Sequence, residues 1–382
     1  MKIEQKLWAE QGGWVTHTTE ALPADPQLVL VFGDRRSVGE GKTFEEIRGM
    51  YPAATILLCS TAGEILDTQV TDATLALTAI AFEKTTLAFS SAAINSFQES
   101  REAGKKLVQD LKQEGLVHVM VFADGLHTNG TQLIHGMNEV LPAGVSVTGG
   151  FAGDGYDFKQ TLIGLNGPAA EHTAVAIGFY GTALRVGYGS IGGWDTLGLG
   201  RTITRSKDNI VYEVDGRPIL SLYKEYLGDM AKGLPGTGLL FPLRLHTKEG
   251  ATDVEVIRSF SSVNEADQSI AFFGDMPEGA RVTLMRANFE RLIDGASQAA
   301  KLSTEPLLSG PAELAILISC VGRKLILKER TEEEVEGVRN EIGPGAAMTG
   351  FYSYGEICPI VSTEKQCEFH NQTMTITTLR EV

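Results

Sequence analysis

The sequence predicts an α/β (α+β) protein of duplicated strand–helix–strand modules with mixed sheets, and three observations lead there. A glycine-acid pair closes three similar segments: Gly63-Glu64, Gly153-Asp154 and Gly355-Glu356. An apolar run precedes each, at residues 28–32, 118–122 and 314–319. A further strand-like run follows each, at residues 73–82, 173–180 and 373–379. The recurring order is strand, helix, strand, turn and strand, with a period too long for a solenoid. Equivalent turns of duplicated modules are placed to face one shared cavity. Glycine and acids are also common turn formers, so chance likeness of the turns is the plain alternative.

Taken in order, residues 1–24 read as a leader over an edge of the first unit, and residues 25–185 hold the first two modules. Between those modules, residues 99–113 are amphipathic, with Ala103, Leu107 and Leu111 on one helical face. Gly115 ends that helix, and the strand at 117–122 completes a right-handed crossover unit. Residues 185–194 and 201–214 alternate like antiparallel strands. Gly187, Gly189 and Gly192 have the spacing of a dinucleotide fingerprint, but that motif must open a helix and here leads into more strand. Pro218 lies in the first turn of a helix reaching about Leu227. Strands are expected at 239–245, 254–260, 270–273 and 282–286, and Asn288 is placed to cap a helix over 289–301. The third module takes 312–382, and the best single cut divides the chain into 25–215 and 216–382.

Composition bounds the function. The chain has 382 residues, 43% of them hydrophobic and 21% charged, enough for a large core without a long disordered region. The 43 glycines imply many tight turns and close backbone approaches. A net charge of −15 argues against nucleic acid and against anionic membrane surfaces. No apolar run approaches a membrane span, and residues 1–14 have no signal-peptide core, so a cytoplasmic location is expected. Cys59, Cys320, Cys358 and Cys367 form no Cys-x-x-Cys pair, which leaves zinc and redox motifs unsupported.

Five segments together resemble the FIST family of signal-transduction sensors. They are residues 60–65, the Gly149-Gly150-x-Ala152-Gly153-Asp154 turn, Gly216-Arg217-Pro218, residues 350–357, and 369–373 with His370. The resemblance implies two FIST-type domains, N-terminal over 25–215 and C-terminal over 216–382, around a shared ligand cavity. It implies a cytoplasmic ligand sensor. A stand-alone chain of this length is similar to the NosP-type nitric oxide sensors, which bind haem b and act on a histidine kinase or similar output protein in trans. A homo-oligomer is compatible with that arrangement.

Haem needs an axial donor, usually a neutral imidazole or a thiolate, in an apolar pocket. His370 precedes the last strand, and His172 holds the equivalent place in the second module. His370 is the first choice for the haem iron; its plain reading is a ring N–H that holds the Glu356 turn. Cys358, before Pro359, offers a thiolate, although cysteine is usually a buried and inert side chain. His127 and His135 with Asp124 match no standard metal spacing and read more simply as loop and helix histidines. Glu64, Asp154 and Glu356 either lock their own turns, next to a glycine at positive φ, or select a cationic group of an amino-acid-like ligand. Tyr352 and Tyr354 offer amphipathic faces on either side of a small ligand. Arg286 suits a ligand carboxylate or haem propionate, and equally a surface ion pair. No Ser-His-acid order, metal signature or phosphate loop stands out, so a catalyst is not expected. The two readings carried forward are a haem-based nitric oxide sensor and a sensor of a small metabolite.

Overall fold

The computed structural model describes residues 1–18, 22, 25–249, 252–307, 310–360 and 367–382. The first module runs β1 (Lys2–Ala9), β2 (Gly13–Thr16), β3 (Leu28–Gly33), α1 (Arg35–Gly39), α2 (Gly41–Met50), β4 (Thr55–Ser60), β5 (Glu64–Leu66), β6 (Gln69–Thr71) and β7 (Leu75–Ala81). All six residues of β3 are buried, as the continuous apolar run of a strand covered on both faces requires. Asp34 caps α1 by accepting from the Arg36 and Ser37 amides. The first residues cover an edge of the first unit, as expected, and do so as a full strand: β1 pairs with β7 from Lys2–Ala81 to Trp8–Leu75. Residues 19–21, 23 and 24 of that stretch lie outside the described residues.

The second module repeats the plan with β8 (Thr86–Ala93), α3 (Ser100–Gln109), β9 (Leu116–Ala123), α4 (Gly130–Val140), β10 (Ser146–Phe151), β11 (Ile163–Leu165) and β12 (Thr173–Tyr180). After β13 (Leu184–Ile191) the chain builds a separate antiparallel sheet. Its strands are β14 (Asp195–Thr196), β15 (Arg201–Lys207), β16 (Ile210–Val214), β17 (Arg217–Pro218), β18 (Leu243–Glu249), β19 (Thr252–Arg258), β20 (Phe260–Asn264), β21 (Ser269–Phe272) and β22 (Arg281–Arg286), with α5 (Ile219–Leu227) against it. The strand expected at 239–245 begins only at Leu243; Gly236–Leu240 forms a 3₁₀ turn, and Pro242 has no N–H to give a ladder. The third module is α6 (Phe289–Thr304), β23 (Leu314–Cys320), α7 (Val321–Leu327), α8 (Thr331–Ile342), β24 (Ala347–Ser353), β25 (Gly355–Pro359), β26 (Cys367–His370) and β27 (Met374–Glu381). As expected, the Asn288 side chain caps α6.

Each module makes one sheet, and the three sheets share a strand order. The parallel pair β3–β4, β9–β10 or β23–β24 is flanked by an antiparallel closing strand, β7, β12 or β27. Beyond the closing strand lies a further antiparallel strand, β1, β8 or β13; β8 and β13 end their sheets, whereas β1 carries the short β2 outside it. On the other flank, each parallel pair receives a strand lent by another module. The second module lends β11 to β4, the third lends β25 to β10, and the first lends β5 to β24. The exchange is cyclic, so the three modules form a closed ring with pseudo-threefold order. Between β4, β10 and β24 the backbone repeats the cycle: Ala62 N donates to Tyr352 O (2.8 Å), Gly153 N to Ser60 O (2.9 Å) and Tyr354 N to Phe151 O (3.2 Å). Phe32, Phe122 and Phe351, one from each module, pack together with centroid separations of 4.8–6.3 Å.

These bonds also align the turns. Ala62, Gly153 and Tyr354 are equivalent, which puts Gly63, Asp154 and Gly355 at the next position. Asp154 is therefore one residue out of step with Glu64 and Glu356, because the second module inserts residues before its lent strand begins at Ile163. The role expected of the glycines is also divided. Only Gly63 has a positive φ (+133°). A Cβ on Gly355 would come within 2.3 Å of the Phe369 ring, and one on Gly153 within 3.0 Å of the Ala62 amide, so those two are required by close packing. The left-handed conformation instead recurs at Ala73 (58°), His172 (59°) and Gln372 (64°), each just before a threonine of the closing segment.

Candidate functional site

The first and third turns are the same device. Glu64 accepts from Thr61 Oγ1 (2.5 Å), from the Thr74 amide (3.2 Å) and from Thr74 Oγ1 (2.7 Å). Glu356 accepts from Ser353 Oγ (2.7 Å), the Thr373 amide (3.1 Å) and Thr373 Oγ1 (2.9 Å). Both acids are almost wholly buried. Burial pushes the Glu64 carboxyl up to about 7 and the Glu356 carboxyl up to about 8, against the pull of those hydrogen bonds. Each acid ties the turn to the first residues of the closing segment, the turn-locking role.

In the second module that work passes to another acid. Asp124 Oδ1 accepts from the Leu126 amide (2.9 Å), the His127 amide (3.2 Å) and Thr161 Oγ1 (2.5 Å). Its Oδ2 accepts from the His172 amide (2.6 Å) and lies 2.9 Å from His127 Nδ1. Since a carboxylate can only accept, His127 Nδ1 carries the proton and Nε2 the lone pair. His172 Nδ1 lies 3.2 Å from the Ile94 carbonyl, which fixes the same tautomer. The two rings stand 4.0 Å apart, centroid to centroid. Sequence spacing concealed this group: the third member is His172, from the closing segment, and His135 lies apart from it on α4.

Asp154 is held by the insertion, accepting from the Phe158, Lys159 and Gln160 amides, each at 2.9 Å. It also accepts from Tyr354 Oη of the third module and pairs with Arg35 of the first (2.8 Å). Tyr352 and Tyr354 are buried, and their hydroxyls are committed to Glu334 and Asp154 rather than turned to a ligand. Glu334 in turn forms a fully buried ion pair with Arg323 (2.7 Å). Next to it, Lys324 Nζ donates to the Ala62 carbonyl (3.0 Å), pairs with Asp72, and lies 5.5 Å from the centre of the Tyr352 ring. The reading of the residues missed Arg323 and Lys324. Their signal was two adjacent cations inside an apolar stretch directly after a buried strand.

Beside the second module lies a cleft of about 890 Å³ between that module and the separate sheet. His127, Asn129, Gln132, Phe158 and Lys159 line one wall, and Lys207, Asp208, Tyr212, Phe272 and Phe273 the other. His370 is elsewhere, on a cleft of about 480 Å³ with Ile191, Val256, Ile257, Pro359 and Ile360. Its Nε2 lies 3.0 Å from the Cys358 carbonyl and so carries the proton. Burial lowers its pKa to about 4, which keeps the ring neutral. The Cys358 thiol is fully buried, which pushes its pKa far up and leaves no thiolate to offer. Arg286 is an exposed residue at the end of β22, opposite Asp195 of β14.

The FIST N domain matches residues 27–217 and the FIST C domain residues 220–359. The chain belongs to the FIST family. FIST domains are sensory domains of signal transduction that bind small ligands. No curated protein matches the chain. Among solved structures, a cyanuric acid hydrolase from A. caulinodans is similar at 10% identity, over 78% of this chain and 99% of that one, with a TM-score of 0.19. No helix among the described residues of this FIST protein is long and apolar enough to cross a membrane.

Proposed function

We propose that this FIST protein senses a small zwitterionic metabolite of the amino-acid class in the 890 Å³ cleft, and passes the signal to a separate output protein such as a histidine kinase. The observation that supports this is the cleft's chemistry. Lys159 and Lys207 offer cations, Asp208 offers an anion, and Phe158, Tyr212, Phe272 and Phe273 supply aromatic walls. Among the described residues none of those three charges has a side-chain partner. Concave sites with apolar walls and a few convergent polar groups are the usual form of small-ligand pockets. Ligand bridging the two walls would favour one spacing of the separate sheet against the ring, and its effect is limited to its differential affinity for the two states. The role is binding rather than catalysis, in a cytoplasmic protein. Thermal shift of metal-free protein across an amino-acid panel tests it: at least one member raises the midpoint, and the rise is lost in Lys159→Ala/Lys207→Ala. No rise with any member would refute it.

A second reading, haem b with nitric oxide as the signal, is favoured by one observation at His370. A metal-ligating histidine normally gives its other N–H to a carbonyl or carboxylate, as His370 does to Cys358 O. His370 would hold the iron through Nδ1, with Ile191, Val256 and Ile257 against the macrocycle. When bound, the group supplies an iron site for a diatomic gas. His172, Cys358, Arg286, Tyr352 and Tyr354 do not line this cleft, and among the described residues neither Lys nor Arg lines it to take a propionate. The reading therefore stands second. A Soret band lost in His370→Ala would promote it; a featureless spectrum after haem addition would end it.

A further inference from the structure

We infer that His127 and His172 form a binding site for a divalent transition-metal ion of the Zn²⁺ class at the edge of the large cleft, where His127 is part of the wall. Both imidazoles have the same preparation. Each has its Nδ1–H engaged, one by the Asp124 carboxylate at 2.9 Å and one by the Ile94 carbonyl at 3.2 Å. That leaves two Nε2 lone pairs on rings whose centroids are 4.0 Å apart. A carboxylate or carbonyl holding the far nitrogen is the usual support of a metal-bound histidine, because it fixes the tautomer and raises the donor's basicity.

The distances suit one ion. One donor atom from each of Asp124, His127 and His172 lies within 4.8 Å of the others. Zinc–nitrogen bonds of ~2.0–2.1 Å place two donors on a tetrahedral ion about 3.3 Å apart. The His127 ring is partly exposed, 34% accessible, and so has room to adjust towards that separation. Asp124 is wholly buried, and its five accepted contacts keep it as the orienting group rather than a ligand. Imidazole donors select Zn, Cu, Ni or Fe over Mg and Ca. With only two protein ligands, the remaining positions are left for water or a chelating molecule in the cleft.

The anchoring is firm where it must be. His172 is in the left-handed region, at φ 59°, and its amide is held by Asp124 at 2.6 Å, so the backbone that carries one donor is fixed by the same acid that orients the other. The equivalent left-handed residues are Ala73 and Gln372, so the conformation belongs to the repeat and only the imidazole belongs to the site.

The test uses the full chain with Zn²⁺ by calorimetry and Co²⁺ by visible absorption, with no metabolite present, so that its failure is separate from failure of the amino-acid reading. One equivalent should bind, and affinity should fall at least tenfold in His127→Gln and in His172→Asn, the second chosen because asparagine tolerates positive φ. His246→Ala, a histidine on the separate sheet paired with Glu255, should bind as the parent does. If either variant fails to fold, carbethoxylation of the parent read by mass spectrometry replaces it: Zn²⁺ should protect His127 and His172 and leave His246 reactive. Unchanged affinity in His127→Gln/His172→Asn, no binding by the parent, or equal labelling with and without Zn²⁺ would each overturn the site.

Discussion

The first and third turns of the ring and the second solve one mechanical problem differently. At Glu64 and Glu356 a single buried acid spans its own turn and the threonine of the closing segment. In the second module the insertion puts Asp154 out of step, and Asp124 takes over from the end of the first strand. The exchange has a chemical by-product. An acid at the strand end reaches His127 and His172 together, next to the large cleft, whereas in the third module the residues that correspond to Asp124 and His172 are Cys320 and Gln372. The repeat is structural where it is regular, and it gathers chemistry where it breaks.

The sharpest way to break this contrast is Asp124→Ala. It strands the Leu126, His127 and His172 amides and the Thr161 hydroxyl, and should cost about 3–5 kcal/mol by denaturant unfolding, since each buried orphan costs ~1–3 kcal/mol. A loss under 1 kcal/mol would show that the second turn is held by something else. Glu356→Ala should cost about 2–3 kcal/mol for three lost contacts, and Glu64→Ala about the same if the two turns are equivalent.

Titration sharpens the pairing of the first and third turns. The Glu356 carboxyl binds its proton more tightly in the fold, at about 8, than an unfolded glutamate near 4.5. The fold therefore holds more protons over that window, and this contribution to stability is present below pH ~4.5 and is lost as pH rises towards ~8. Glu356→Gln, a mimic of the neutral acid, should flatten the decline of the thermal midpoint between pH 5 and pH 8.5. Parallel profiles for parent and variant would contradict the raised carboxyl. His370 runs the other way: with its pKa lowered to about 4, it withdraws stability as pH falls below ~6.5. Last and smallest, Tyr354→Phe removes one bond across modules to Asp154 and should cost about 1 kcal/mol, with Arg35→Ala below that because its guanidinium is partly solvated.

The repeat itself was legible because buried parallel strands leave continuous apolar runs, and the runs before β4, β10 and β24 are plain in the chain. The strand lending was not, because β5 and β11 are three residues each, too short for a period to show. The misalignment of Asp154 is likewise a fact of register, fixed by bonds from Gly153 to Ser60 and from Ala152 to Ala123 that join distant segments. Acids as turn locks followed from carboxylate chemistry. The Asp124 cluster did not, since His172 reaches it across 48 residues.

The ring of lent strands also sets an order of assembly. When β10 has been made, the strand it pairs with at its free edge, β25, is still some two hundred residues away along the chain, and β5 must likewise wait for β24. Contacts of such long sequence separation slow folding, and unpaired sheet edges invite association with other chains. The edges of β10 and β5 therefore stay unpaired until the last part of the chain is in place, and over that interval association with other chains competes with closure of the ring.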